Sequence, residues 1–156
     1  MRKLTLLSIL SCLTLLAVPS TSHAVGISAS LGGGALIGGP GGTALKAAVE
    51  VSPFYDIAVL RLEIPVELTL QPDAGSIAIR PGVKVFIPIV GIYGRAGFGI
   101  GGLGKGATNK HLVLGAGWQL SLLDTVGIFF EGSYEPYLDP SGPKAIMGRA
   151  GAMLNF

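Results

Sequence analysis

Residues 57–70 read IAVLRLEIPVELTL, and the reading of this stretch decides the fold. From Leu60 onward, Leu60, Leu62, Ile64, Val66, Leu68 and Leu70 alternate strictly with Arg61, Glu63, Pro65, Glu67 and Thr69. A period of two predicts a β-strand, because successive side chains leave the pleat on opposite sides. One face is wholly aliphatic and the other carries three charges. Two environments would accept such a strand. In a soluble sheet the aliphatic face meets a core and the charges meet water. In a membrane barrel the aliphatic face meets lipid and the charges point inward.

Working outward, seven further segments carry the same alternation: residues 25–31, 43–52, 76–87, 89–100, 110–122, 125–137 and 144–156. The glycine-rich run 32–42 reads as a connection, as do 53–56, 71–75, 101–109 and 138–143. Choosing strand phase by apolarity puts Lys46, Glu50, Arg61, Glu63, Glu67, Arg80, Lys84, Arg95, Glu131, Glu135 and Arg149 opposite the aliphatic rows. The remaining charges between residues 25 and 156 fall in turns or at strand ends, Asp56 and Asp73 among them. A near balance of signs on the charged faces suits paired ions in an enclosed space, where an unpaired charge is costly. Eleven residues supply that expected interior network.

The N-terminus supports the membrane environment. Arg2 and Lys3 precede an apolar run over residues 4–18, and Ser22-His23-Ala24 offers small residues where a signal peptidase reads. This predicts a signal peptide over 1–24, with the barrel over 25–156. Cys12 lies inside the apolar run rather than at its end, which disfavours a lipidated cysteine. Residues 25–156 contain no cysteine, so no disulfide framework exists there. They carry nine Lys/Arg and nine Asp/Glu, a balance that gives no reason to expect a nucleic-acid partner. The whole chain is 49% hydrophobic and only 13% charged, yet after the leader no run approaches the ~18 apolar residues of a spanning helix. An oily exported chain without spanning helices leaves strands to cross the membrane.

Connections after the second, fourth and sixth segments are expected to be short and the others mostly longer, the habit of short periplasmic turns and longer outer loops. Eight strands also put both chain ends on one side. Pro65 and Pro81 fall inside neighbouring strands, where each removes a ladder donor, so a local bulge or bend is expected near them.

The chain ends on Phe156, with Leu154 and Ala152 at alternate positions before it. With the strand count, the leader and this terminus, the sequence resembles the small eight-stranded outer-membrane β-barrels of the OmpA/OmpX-like superfamily. The resemblance covers residues 25–156 and rests on pattern. It implies an all-β antiparallel transmembrane barrel in the outer membrane of a Gram-negative bacterium, surrounded by outer-membrane lipid and present as a monomer. It further implies that Phe156 and Leu154 form the signal read by the barrel-assembly machinery. Unlike relatives with a peptidoglycan-binding domain after the barrel, this chain is expected to be barrel alone, with short, glycine-rich loops.

No residue set points to catalysis or to a cofactor. His111 is the one histidine after the leader, and no His/Cys/Asp grouping has metal-ligand spacing. The glycine-rich stretches 32–34 and 97–102 lack the lysine-serine pair of a phosphate loop. Inward glycines of the segments 89–100 and 110–122 are expected instead to make room for Tyr93, Phe86, Phe129 and the arginines. Phe98, Trp118, Phe130 and Tyr134 face outward as candidates for interfacial aromatic belts. An eight-stranded barrel is just wide enough to be filled by side chains. The expected role is therefore structural or envelope-maintaining, or else binding through the outer loops. Two alternatives stand beside it: a narrow channel for ions or small solutes, and a soluble periplasmic barrel that binds an apolar ligand.

Overall fold

The structure, a computed structural model, describes residues 25–39, 42–72, 75–104, 108–139 and 142–156. The expected leader 1–24 lies outside the described residues, as do the turn residues Asp73, Ala74, Pro140 and Ser141 and the loop cation Lys105. In chain order the strands are β1 (Val25–Gly39), β2 (Gly42–Ile57), β3 (Leu60–Glu63), β4 (Val66–Gln71), β5 (Ser76–Ile87), β6 (Ile92–Leu103), β7 (Asn109–Ser121), β8 (Val126–Pro136) and β9 (Lys144–Asn155). All pairings are antiparallel between successive staves, and β1 pairs with β9, so the sheet closes on itself. β3 and β4 are two halves of one stave, both lying between β2 and β5, so the barrel has eight staves. Closure leaves no strand edge unpaired, which is what a sheet in lipid requires.

The faces are inverted relative to a soluble protein. Leu60, Leu62, Ile64, Val66, Leu68 and Leu70 are 38–55% exposed on the outside of the barrel, whereas Glu63 and Glu67 are 4% and 0% exposed. The same holds around the ring: Leu45, Val85, Leu114 and Ile146 face out, and Lys46, Lys84, Val113 and Met147 face in. A soluble barrel built for an apolar ligand would need the opposite arrangement, an apolar lumen and a polar skin.

The proline region corrects the expected bulge. Phe54 pairs with Glu63 and Val51 with Val66, which is one constant offset on the β2 side of the interruption. Glu63 pairs with Lys84 and Val66 with Pro81, again one offset on the β5 side. No residue is gained or lost at Ile64–Pro65. Proline removes a donor but keeps its carbonyl: Pro53 O accepts from Ile64 N at 3.0 Å and Pro65 O accepts from Gly82 N at 2.9 Å. The register shifts instead between Leu36 and Gly39 and between Ile77 and Ile79.

Several boundaries also move. The run Gly32-Gly33-Gly34 is strand rather than loop, and β1 and β2 are joined by residues 40–41 alone. The first outer connection is therefore short, and the expected contrast in loop length is left mainly to residues 137–143. β2 continues through 53–56, so the turn sits at Ala58–Val59 and the next strand starts at Leu60. Ile89 and Val90 belong to a turn, and Gly101 belongs to β6. In each case period-two pairing runs until backbone geometry stops it, past glycine and proline residues that sequence reading treats as punctuation.

Candidate functional site in the barrel lumen

The charged side chains of the inward rows meet near the barrel axis. Glu50 accepts from Lys84 Nζ, from Arg95 Nη1 at 2.8 Å and from Ser52 Oγ at 3.2 Å, with Arg149 Nη2 at 3.3 Å. Glu67 pairs with Arg149 Nη1, Arg95 Nη1 at 2.8 Å and Arg80 Nη1 at 3.5 Å, and accepts from Thr69 Oγ1 at 2.7 Å. Glu131 takes Arg149 Nε and Nη2 at 2.9 and 2.8 Å, and the Tyr93 hydroxyl at 2.9 Å. Arg80 grips Glu135 through two bonds of 2.8 Å. Glu50, Glu67, Glu131 and Glu135 are thus tied to Arg80, Lys84, Arg95 and Arg149 in one connected knot of four anions and four cations. Every member is at most 8% exposed. Charges this deep are tolerated because each has opposite charges and hydrogen-bond partners around it.

The other three residues of the expected network lie apart. Arg61 belongs to the turn end of the barrel, where its Nε and Nη2 donate to Asp56 at 2.6 and 3.2 Å and its guanidinium covers the Phe54 ring at 3.9 Å. Asp56, assigned by sequence to a turn, is its true partner. The signal was present: Ser52, Phe54 and Asp56 continue the inward row of β2 once the row is followed past Pro53. Glu63 reaches only Lys84, at 3.9 Å, and its Oε1 has no hydrogen-bond partner. Lys46 is buried and makes no ion pair among the described residues.

Glycines determine how these groups fit. A Cβ on Gly117 would fall on the Tyr93 ring, and one on Gly99 would fall on the His111 ring. A Cβ on Gly32 would come within 2.8 Å of Phe129 Cζ, and one on Gly34 within 2.8 Å of Arg149 Cβ. The room expected for Tyr93, Phe129 and the arginines is therefore made by β1 and β7, not by one pair of strands. At Gly97 and Gly82 the crowding is backbone: a Cβ on Gly97 would meet Pro81 O at 2.8 Å.

Along the axis the lumen is a closed middle between two open ends. A cavity of about 240 Å³ lies at the loop end, lined by Lys46, Thr69, Gln71, Asn109, His111 and Tyr137 among others. Another of about 410 Å³ lies at the turn end, with Arg61, Phe86, Gln119 and Asn155 on its walls. Beside Glu50, Glu63 and Tyr93 the packing leaves a void of about 10 Å³, on the order of one water molecule. Outside the barrel, Trp118 and Phe130 are cross-strand partners with stacked rings 6.4 Å apart. Phe98 lies against Leu112 on β7, and Tyr134 between Leu114 and Ile146. At the closing seam, Phe156 N donates to Ile27 O at 2.8 Å and Ile27 N to Phe156 O at 3.1 Å, while the Phe156 side chain is exposed. Leu154 pairs with Ala29 on β1 and Val126 on β8.

No family model matches the sequence, and no curated protein matches it. Among solved structures, the fold is similar to the crystal structure of Neisserial surface protein A, with a TM-score of 0.58 and 15% sequence identity over 85% of this chain and 97% of that one. A structure from the de novo design of transmembrane β-barrels aligns with a TM-score of 0.49 and 10% identity, over 84% of this chain and 95% of that one. At such identity the likeness to Neisserial surface protein A is one of fold: a closed eight-stranded antiparallel barrel of the outer-membrane type.

Proposed function

We propose that this chain is an integral outer-membrane protein whose lumen is shut by its ion knot, and that it serves as a rigid structural component of the envelope rather than as a pore. The observation that carries this reading is the knot itself, four carboxylates and four cations cross-linked between the two end cavities and each at most 8% exposed. A hydrated ion does not pass such a knot without displacing several buried ion pairs at once. The lipid-facing skin of Leu, Ile and Val supports outer-membrane lipid as the surrounding solvent. Export through a leader over 1–24, and recognition of Phe156 and Leu154 by the barrel-assembly machinery, belong to the same reading. It assigns the chain no catalysis, metal, cofactor or nucleic acid, and a monomeric state.

Measurements in bilayers and in cells test it. Reconstituted in planar bilayers, the native chain is expected to give no steady openings; unitary currents that change with Arg95→Gln would instead establish the narrow channel. In cells, the folded chain is expected to fractionate with the outer membrane and to migrate differently on gels before and after boiling. Release of folded protein into detergent-free buffer would overturn the membrane reading altogether. A deletion strain with unaltered sensitivity to detergents and large antibiotics would argue against an envelope role.

A further inference from the structure

The loop-end cavity contains two groups that the knot leaves unanswered. Lys46 is 8% exposed and has no carboxylate in ion-pair reach among the described residues, although Glu67 and Glu135 stand nearby. Both of those carboxylates are already engaged, Glu67 by three arginines and Glu135 by the two-pronged grip of Arg80. His111 is 1% exposed, and neither Nδ1 nor Nε2 has a hydrogen-bond partner. Its Nε2 stands 3.9 Å from Glu135 Oε2, beyond hydrogen-bond length. Nearly all buried polar atoms are hydrogen-bonded, so two orphaned nitrogens and an unmatched ammonium around one cavity ask for a third party. Space exists for it: about 240 Å³, the share of roughly eight waters.

The chemistry of the walls selects the occupant. Lys46 shares the walls of the cavity with Gln71, Asn109, His111 and Tyr137, the last two with ring centroids 5.1 Å apart. Thr69 already donates to Glu67. Among the described residues, Lys46 brings a positive charge without an ion pair, and no uncompensated carboxylate lines the space. The turn-end cavity differs, because its lumenal cation Arg61 is already satisfied by Asp56. We propose that the loop-end cavity is a binding site for a small solute bearing an oxyanion, a phosphate or carboxylate, received by Lys46 with Gln71, Asn109, His111 and Tyr137 as its other contacts. The site is dead-ended by the Arg80–Glu135 pair below it, so the solute is bound and not passed through.

The test uses the full folded chain in a maltoside detergent, titrated with inorganic phosphate and followed by NMR of the His111 ring and the Asn109 and Gln71 side-chain amides. Saturable shifts at these signals are expected. Lys46→Met is expected to weaken binding about tenfold, the order of one lost charge-assisted contact. Lys46→Arg is expected to retain most of it, and Lys110→Gln, which removes an exposed cation at the same end, all of it. Unchanged gel mobility before boiling checks that each variant folds. Nanodiscs of phosphatidylglycerol compared with phosphatidylcholine, without added phosphate, separate a lipid headgroup from a free solute. Absence of saturation, equal affinity in Lys46→Met, or shifts produced by anionic lipid and not by phosphate would each overturn the proposal. The outcome is independent of conductance, so it can fail while the closed-barrel reading stands.

Discussion

At the level of single residues, the lumen is a packing problem in which glycine and glutamate carry the strictest requirements. Gly117 and Gly94 look alike in sequence, one residue of an alternating row each. A Cβ on Gly117 would strike the Tyr93 ring and come within 2.7 Å of Phe130 O, whereas one on Gly94 would meet nothing within 4 Å. Gly117→Ala should therefore cost about 1–3 kcal/mol by overpacking, measured as the urea midpoint of the heat-modifiable band. Gly94→Ala should change it by no more than about 0.5 kcal/mol. Glu67 is the anion shared by Arg80, Arg95 and Arg149, so Glu67→Gln leaves three buried cations short of charge. A loss of about 3–5 kcal/mol is expected in the same assay. Adding Arg149→Met to that variant should cost less than the two single losses together, since the groups share one network. The inward position of Glu67 is legible from its neighbours in sequence. That its partners sit on β5, β6 and β9 is not, because nothing local to residues 60–70 names the strands across the lumen.

Among elements, the turns and prolines show where period-two reasoning stops short. Ala58 has a positive φ of 52° at the two-residue turn that joins Ile57 to Leu60. Hairpin turns of this kind favour glycine there, because Cβ crowds the following carbonyl in the left-handed region. Ala58→Gly is expected to raise stability by about 1 kcal/mol, read from urea titration of the folded barrel. Pro53, Pro65 and Pro81 lie on adjacent staves, and each leaves the ladder one donor short without shifting its register. A composition-based reading takes such residues as strand ends or bulges. Here both faces of β3 and β4 hold them in line: the inward Glu67 is fixed by the knot and the outward leucines face lipid, and a slip by one residue would exchange the faces. The real register shifts, at Leu36/Gly39 and Ile77/Ile79, have no comparable warning in the sequence beyond local glycine.

Taken whole, the molecule is a barrel with its oily side out, and that orientation has its own test. Leu68 lies midway along the outward row of its stave. Leu68→Arg should destabilise the barrel in bilayers by about 2–4 kcal/mol, while Leu123→Arg, at a turn tip, should cost about 0–1 kcal/mol. Refolding yields into vesicles across a urea series would measure both; equal, small costs would mean that the leucine row does not face lipid. The alternating rows, the number of staves and the inward side of the charges within them were determined by the sequence, because in a closed sheet side-chain direction follows from residue parity. Asp56 escapes only because sequence reading ends its strand too early. Which charges pair, that Arg61 takes Asp56, that among the described residues Lys46 has no ion pair and the His111 ring nitrogens no hydrogen bond, and that the knot fills the middle of the lumen were decided only by the tertiary structure. The reason is geometric. Parity says which way a side chain points, but whom it meets across the lumen depends on the stagger and closure of all eight staves, and no single strand encodes that.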